Sequence, residues 1–559
     1  NGKPLGCYCG NIRFIDTYQI SGLSLEKLSK NYTKTKKIKD LNYKTWRCPQ
    51  MLKILTEEEQ RYIIDDVIIL NEYWNSNEIQ RYIKKQGYTK LPLTNTAKVR
   101  MMLYNSVDSK TRKEIVDKLA SIFPTLDIYQ MLLRGFSGGV VKSNPRYTDI
   151  ILNDVGQVDL TSSYPASLFK NFYPVSQFID CDIKRLEEFE QGFNYMVDVE
   201  LFNIKSTKPM RTISLSKCID FKNTKIDNGR IISAEYIKIT LTDVDFKYLF
   251  KFYDFEYNIT RCIKAKSGRL PHYFIKVMVD LYKTKNELKP LYEKDPTLKA
   301  EYLNSKGMLN SIYGMCVYKD KPVNYTYNNG KWDIDLNGNY HKFNKQSLLT
   351  FAWGVWCSAY SRGALYDGIL ICCENGSDDI IYSDTDSCKF LHKEKHIKSF
   401  NEWNLLNDRK VRSACAYYGI DYKIMEGLGR YDFESDVKEF KTLGSKRYIH
   451  DGHITISGIS DNAFQEYCKN LGKKPIDCFN DGFSIPKEYT MKNTSKYYIN
   501  NDKPYIYNYQ YNGVKYELPI INYIYMCDAP WSMSLSKDYR NLLLLLHNVS
   551  RETLESEVK

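Results

Sequence analysis

The stretch that most constrains the fold is Tyr382-Ser383-Asp384-Thr385-Asp386-Ser387. The β-branched Ile380 and Ile381 lead into it, and Cys388, Lys389, Phe390 and Leu391 resume an extended pattern, so the spacing predicts a tight hairpin with two aspartates at its tip. Carboxylates two residues apart on a strand edge point the same way, and in a turn they converge enough to hold divalent ions. A bare Asp-x-Asp is more often only an Asp-rich turn, because Asp bonds its own backbone there. The rest of the chain decides between these readings.

With 559 residues the chain exceeds what one core supports, so several domains are expected. Hydrophobic residues make up 43% and charged ones 26%, a globular balance that excludes a disordered chain. Lys plus Arg outnumber Asp plus Glu by 80 to 67, and the formal charge of +13 suits a polyanionic partner without identifying one. The 47 tyrosines suit stacking on bases, and equally fit a genome rich in A and T. The 15 cysteines show no Cys-x-x-Cys pairing, and Cys7-Tyr8-Cys9 and Cys372-Cys373 are too close for an ordinary zinc site, so reduced intracellular thiols are expected. The longest aliphatic run, Leu542 to Leu546, is too short for a bilayer, and no signal peptide is recognised. The first residue is Asn rather than Met, which reads as a processed chain or a fragment. Neither an internal repeat nor a low-complexity linker is seen.

Asn11 to Asp16 reads as a strand, followed by a helix with Leu23, Leu25 and Leu28 inward. Lys27, Lys30, Lys34, Lys36, Lys37 and Lys39 form either a solvated basic face or a nucleic-acid patch. Thr56-Glu57-Glu58-Glu59 is a capping box opening a helix through Leu70, on which Tyr62 and Asp66 share a face. Phe136-Ser137-Gly138-Gly139 is a turn whose glycines permit close backbone approach. Gln157 to Leu160 is a strand running through Asp159 into a polar turn, with Pro165 placed to start a helix. From about 175 to 270 strand and helix mix without chemistry of their own. A helix from Pro271 carries Tyr282, Lys283 and Lys285. Asp295-Pro296 caps a second helix, with Lys306, Asn310 and Tyr313 on one stripe facing away from Leu303, Met308 and Ile312. That stripe is either a solvated side or a cation, an amide and a ring presented to a nucleoside triphosphate. Asn328-Asn329-Gly330 and Asn337-Gly338 are hairpin turns around Trp332 and Ile334. A long apolar helix from Leu348 to about Cys373 carries Arg362, Lys446-Arg447-Tyr448 lies on a strand, and Leu542 to Leu546 packs a terminal helix.

Three blocks in fixed order, Asp159-x-x-Ser162-x-Tyr164-Pro165, Lys306-x-x-x-Asn310-Ser311-x-Tyr313-Gly314 and Tyr382-x-Asp384-Thr385-Asp386-Ser387, resemble motifs A, B and C of family B DNA polymerases. Lys446-x-Tyr448 resembles that family's primer-strand motif, and Phe136-x-Gly138-Gly139 resembles the Tyr-x-Gly-Gly loop of its protein-primed branch, with Phe for Tyr. The resemblance implies an α+β right-hand polymerase with palm, fingers and thumb. The implied parts are a partial 3′–5′ exonuclease domain (1–125), palm (126–173), an insertion of terminal-protein-region type (174–270), fingers (271–317), a second, hairpin insertion (318–350), palm (351–470), and thumb with a C-terminal extension (471–559).

The same resemblance implies the roles. Asp159 and Asp386, helped by the Leu160 carbonyl, hold two Mg²⁺ ions, for which Mn²⁺ can substitute, and Asp384 sits close by. Lys306 and Lys283 (or Lys285) neutralise triphosphate charge, Asn310 belongs to the nucleotide site, Tyr313 packs on the incoming base, and Tyr164 excludes a ribose 2′-hydroxyl. Lys446 and Tyr448 hold the primer terminus, supported by Ser162, Thr385 and Arg362, while Phe136, Gly138 and Gly139 contact DNA. Partners are template and primer DNA, dNTPs and a terminal protein, for a monomer in the cytoplasm of an infected bacterial host with no membrane association. Tyr62-x-x-x-Asp66 resembles the third exonuclease motif, and the motifs that supply the other carboxylates would precede residue 1, so this chain alone is expected to lack proofreading. Two alternatives are an RNA polymerase or reverse transcriptase, disfavoured by Thr385 between the aspartates and by Tyr164, and a DNA-binding relative with a decayed site, disfavoured by the complete carboxylate set.

Overall fold

The computed structural model describes residues 6–9, 12–15, 24–38, 56–76, 80, 94–295, 298–317, 325–328, 331–334, 348–456, 459–490, 495–500, 505–511, 514–520, 523–528, 530–536 and 539–543. They belong to two compact units: Asn1–Met101 with Leu288–Asn304 and Pro486–Trp531, and Met102–Glu287 with Ser305–Ile485 and Ser532–Lys559. Among the described residues no helix is long and apolar enough to cross a membrane.

In the first unit Ile12–Ile15 pairs with Gly6–Cys9 as an antiparallel hairpin. The helix Leu25–Asn31 is capped by the Ser24 hydroxyl. The predicted capping box is present, with the Thr56 hydroxyl accepting from the Glu59 amide and the Glu59 carboxylate accepting from the Thr56 amide. Its helix runs past Leu70 to Asn75, because Ile69 and Tyr73 extend the buried face that packs on Leu28. Lys39 and Leu23 lie outside the described residues.

The second unit holds an eight-stranded antiparallel sheet. Its order is His453–Ile456, Arg447–His450, Val437–Gly444, Leu152–Leu160, Ser387–Phe390, Ile380–Asp384 and Val141–Ser143, with Tyr431–Phe433 also pairing with Leu152–Leu160. Strand periodicity sends Val158, Leu160, Cys388 and Phe390 into a core shared with Leu365 and Ile369 of the helix Phe351–Ile371. Gln157, Asp159, Ser387 and Lys389 therefore point to the other face. The region 174–270 forms a seven-stranded antiparallel sheet interrupted by the helix Asp243–Phe252.

Tyr325–Asn328 and Lys331–Ile334 pair antiparallel, while the expected turns at Asn329-Gly330 and Asn337-Gly338 lie outside the described residues. Helices His272–Lys294 and Lys299–Cys316 follow the predicted order. Leu303, expected inward, is 50% exposed. The buried stripe of its helix is Ser305, Leu309, Ile312 and Cys316, a 3.6-residue repeat that leaves position 303 off the line. Residues 539–543 are helical, with Leu543 buried, and Leu544 to Leu546 lie outside the described residues.

Candidate active site

The predicted hairpin forms with Asp384 opposite Ser387. Thr385 takes a left-handed conformation (φ 61°), and the Asp386 amide donates back to the Asp384 carbonyl at 2.6 Å, which keeps the turn tight. The neighbouring strand fixes the register: Ser387 lies opposite Asp159, and the Leu160 amide donates to the Asp386 carbonyl at 2.9 Å. Two carboxylates more than two hundred residues apart in sequence are thus brought to one place, Asp159 on its strand and Asp386 in the turn beside it.

Burial and the neighbouring acids both act against ionisation of this pair. Burial first, then the Asp386 and Glu434 carboxylates, push Asp159 up to about 7, against an opposing pull from Lys306. Burial and then Asp384 push Asp386 up to about 6, with Lys306 again opposing. Groups that resist ionisation because they are buried and like charges gather suit a bound cation. Among the described residues no three His, Cys, Asp or Glu side chains close a metal cage. Two carboxylates with open positions are nevertheless the donor set that Mg²⁺ takes when phosphates and water complete its shell.

Two acidic residues were not anticipated. Asp432 lies opposite Asp159 on its other flank and accepts from the Thr161 hydroxyl at 2.5 Å, and the Glu434 amide donates to the Gln157 carbonyl at 3.1 Å. Both raise Asp159. The signal for them was the alternation Tyr431-Asp432-Phe433-Glu434, aromatic residues inward and acids outward.

After Asp159 the chain turns at Ser162 (φ 53°) into the helix Ser163–Lys170. The helix opens before Pro165, which sits in the first turn where its missing N–H has no intrahelical partner to lose. Tyr164 lies flat against Tyr313, ring centroids 4.0 Å apart and planes 5° from parallel, and burial pushes its hydroxyl up to about 12. Gly139 lets the preceding loop approach this pair: a Cβ there would stand 2.9 Å from the Thr385 side chain and 3.2 Å from the Tyr164 hydroxyl. The Thr385 amide donates to the Val140 carbonyl at 2.8 Å, tying loop to hairpin. Gly138 is exposed, and Phe136 is half-buried against Phe351.

Three placements differ from the sequence reading. Lys283 is 57% exposed and faces Glu287, whereas Lys285 is buried and donates to the Ser162 hydroxyl at 3.3 Å. Positions two apart on a helix fall on nearly opposite faces, so Lys285 is the lysine at this site. Arg362, expected to help hold the primer, is 3% exposed. It pairs with Asp245 at 2.7 Å and donates to the Ser137 and Gly138 carbonyls, so it fixes the glycine loop from behind. Lys446 stands in a turn (φ 57°) rather than on a strand; its amide donates to the Tyr382 hydroxyl at 3.0 Å and its ammonium pairs with Asp384. Tyr448 packs 4.9 Å from Tyr382, while Lys306 and Asn310 are exposed on the helix that carries Tyr313.

In the other unit Tyr62 and Asp66 do share a helix face, and Lys37 joins them. Its ammonium donates to the Tyr62 hydroxyl at 2.7 Å and to both Asp66 oxygens at 2.7 and 2.9 Å. Lys36 meanwhile caps the Leu25–Asn31 helix through the Ser29 and Thr33 carbonyls.

No family model matches the sequence, and no curated protein does. Solved structures match. Phi29 DNA polymerase complexed with primer-template DNA and incoming nucleotide substrates gives a TM-score of 0.61 at 18% identity, covering 94% of this chain and 82% of that one. Its complex with primer-template DNA alone gives 0.62, and that with single-stranded DNA 0.60, at the same identity and coverage. The likeness runs through nearly all of the chain and shows that it shares the fold of Phi29 DNA polymerase, a protein-primed family B polymerase.

Proposed function

We propose that the chain is a DNA-directed DNA polymerase that adds deoxynucleotides to a primer 3′-hydroxyl, or to a terminal-protein hydroxyl, in viral or plasmid replication. One observation carries the reading: the hairpin turn holds Asp386 beside the strand end that bears Asp159, close enough for its carboxylate to raise Asp159 while Lys306 opposes the shift of both. The likeness to a polymerase solved with primer-template DNA supports it. In this reading the eight-stranded sheet is the palm, the helices His272–Lys294 and Lys299–Cys316 are the fingers, and the seven-stranded sheet is the terminal-protein-region insertion.

The carboxylates of Asp159 and Asp386 and the Leu160 carbonyl would hold two Mg²⁺ ions, or Mn²⁺ in their place. The chemistry such ions would supply is Lewis acidity toward the attacking hydroxyl and positive charge opposite the departing pyrophosphate. The protein's own groups do the rest. Lys306 and Lys285 meet the triphosphate as point charges, and Asn310 lines the same helix face. Tyr313 offers a surface to the base, and Tyr164, packed on it, fills the space a 2′-hydroxyl would need. Lys446, steadied by Asp384, and Tyr448 grip the primer end, while Ser162, Thr385 and the Phe136–Gly139 loop shape the path of the DNA.

The test is extension of a primed DNA template with dNTPs and Mg²⁺, run with and without a terminal protein and repeated in EDTA. Metal-dependent, template-directed incorporation of dNTPs over rNTPs is expected. Preference for ribonucleotides, or no extension with Mg²⁺, overturns the proposal.

A further inference from the structure

On the side of the central sheet that Val158 and Leu160 face, four helices line a cavity of about 360 Å³ that is open to solvent on the side of Leu406 and Lys410. Lys170 ends one helix, Lys251 comes from the helix Asp243–Phe252, Leu370 from Phe351–Ile371, and Trp403, Leu406 and Lys410 from Lys393–Tyr418. The last three are spaced three and four apart, so one helix offers the cavity a ring, an aliphatic chain and a cation in a single stripe.

Lys170 is the anomaly. It is 9% exposed, yet its ammonium meets a neutral partner, the Asn407 side-chain oxygen, and lies 5.3 Å from the centre of the Trp403 ring. Asn407 is oriented for this by donating its own amide to the Leu428 carbonyl at 3.0 Å. Two carboxylates share the wall and are engaged: Asp367 accepts from the Tyr248 hydroxyl at 2.8 Å and the Trp403 indole at 3.0 Å and lies 3.9 Å from the Lys251 ammonium, and Glu374 accepts from the Ser399 hydroxyl at 2.8 Å, while Asp408 pairs with Arg430. A cation at a helix C-terminus complements the helix dipole, which accounts for the charge but not for the cavity beside it. Burial and then Lys410 pull Lys170 down to about 7, the behaviour of a buried charge short of an anion.

We propose that this cavity is a second ligand site that takes a small organic phosphate, its phosphate against Lys170 and Lys410 and its body against Trp403, Leu406 and Leu370. The volume lies in the range of small-molecule sites, and a mixed wall of apolar side chains with a few convergent polar groups is how such sites are built. Lysines bind phosphate as point charges, and an aromatic face accepts a planar base without reading its identity. The assignment stands whether or not the chain polymerises DNA.

The experiment titrates the full chain with deoxyadenosine monophosphate, inorganic phosphate and deoxyadenosine by calorimetry in EDTA, so that the Asp159 and Asp386 carboxylates carry no metal. One equivalent of the monophosphate is expected to bind, inorganic phosphate more weakly and the nucleoside not at all. Lys170→Met weakens the monophosphate at least about tenfold, Leu406→Ala weakens it while sparing inorganic phosphate, and Lys306→Met leaves it unchanged. Should Lys170→Met fail to fold, Lys410→Gln, at an exposed position, carries the same expectation. The proposal is overturned if none of the probes binds, if the nucleoside binds as well as its phosphate, if the lysine variants bind like the parent, or if Lys306→Met abolishes binding.

Discussion

Asp66 and the Asp159–Asp386 pair are chemically alike and sit in opposite states of completion. Asp66 has both oxygens bonded by Lys37, whose ammonium also lies 4.1 Å from the centre of the Tyr62 ring. Burial works to lower Lys37, but its bonds to Asp66 and Tyr62 outweigh that and leave it raised. Asp159 and Asp386 face other carboxylates instead, and both are driven upward in spite of Lys306. The chain supplies its own counter-charge in one place and leaves it to come from outside in the other. The second arrangement is the one expected where a metal is to be held.

The largest effect that sharpens this contrast is on polymerisation. Asp386→Asn or Asp159→Asn is expected to cut primer extension by roughly a thousandfold or more, as loss of a group that stabilises transition-state charge does. The same variants should leave the metal-free fold as stable or more so, because each removes a crowded charge. Both carboxylates ionise at higher pH in the folded chain than the ordinary value of about 4, so their contribution is fully present below that value. It is lost as pH rises through about 6 for Asp386 and about 7 for Asp159. Thermal melts in EDTA are therefore expected to fall between these limits, Mg²⁺ should restore the loss on the alkaline side, and Asp386→Asn should flatten the curve. A flat curve for the parent would break the comparison.

A smaller effect concerns selection. Tyr164→Val removes the ring stacked on Tyr313, and discrimination between dNTP and rNTP is expected to drop by about a hundredfold, the order at which a pocket rejects an added hydroxyl. Paired kinetics with both nucleotides check it; unchanged discrimination would relieve Tyr164 of that role. Smaller again is the split between two lysines of one helix. Lys285→Met should raise the KM for dNTP about tenfold, the scale of one charge-assisted contact, while Lys283→Met, exposed and paired with Glu287, should leave it within about twofold.

That lysine pair shows where sequence reasoning stopped. The hairpin, the strand through Asp159, the capping box at Thr56 and the stripe of Asn310 and Tyr313 were legible because each rests on a local period or a cap with its own energetics. Which of two lysines faces the site depends on how the helix is rolled against Ser162, a tertiary matter. Arg362 was misjudged for a related reason: the resemblance set it in support of the primer terminus, and its partner Asp245 lies more than a hundred residues away in a segment that offered no motif. Asp432 and Glu434 went unseen because their nearness to Asp159 comes from pairing between two strands far apart in sequence. The overall fold was accessible through motif order, and the seven-stranded sheet was not, since its strands carry no chemistry to mark them.

The least effect is expected at the finished pair, where the comparison can be broken most directly. Lys37 and Asp66 are 20% and 27% exposed, so Lys37→Met or Asp66→Asn should cost about 1 kcal/mol of stability by denaturant melts and leave primer extension untouched. The contribution from Lys37 is full at neutral pH and is lost as pH rises beyond the usual lysine range, because its pKa is raised by the fold. Excision of a mismatched primer end by the parent chain is expected to be absent, since a two-metal nuclease needs carboxylates free to bind metal and Lys37 occupies both oxygens of Asp66. Metal-dependent excision abolished by Asp66→Asn would show that Lys37 yields its place when metal arrives. Asp66 would then belong with Asp159 and Asp386 as a carboxylate waiting for a cation, and the distinction between the two regions would be one of resting state alone.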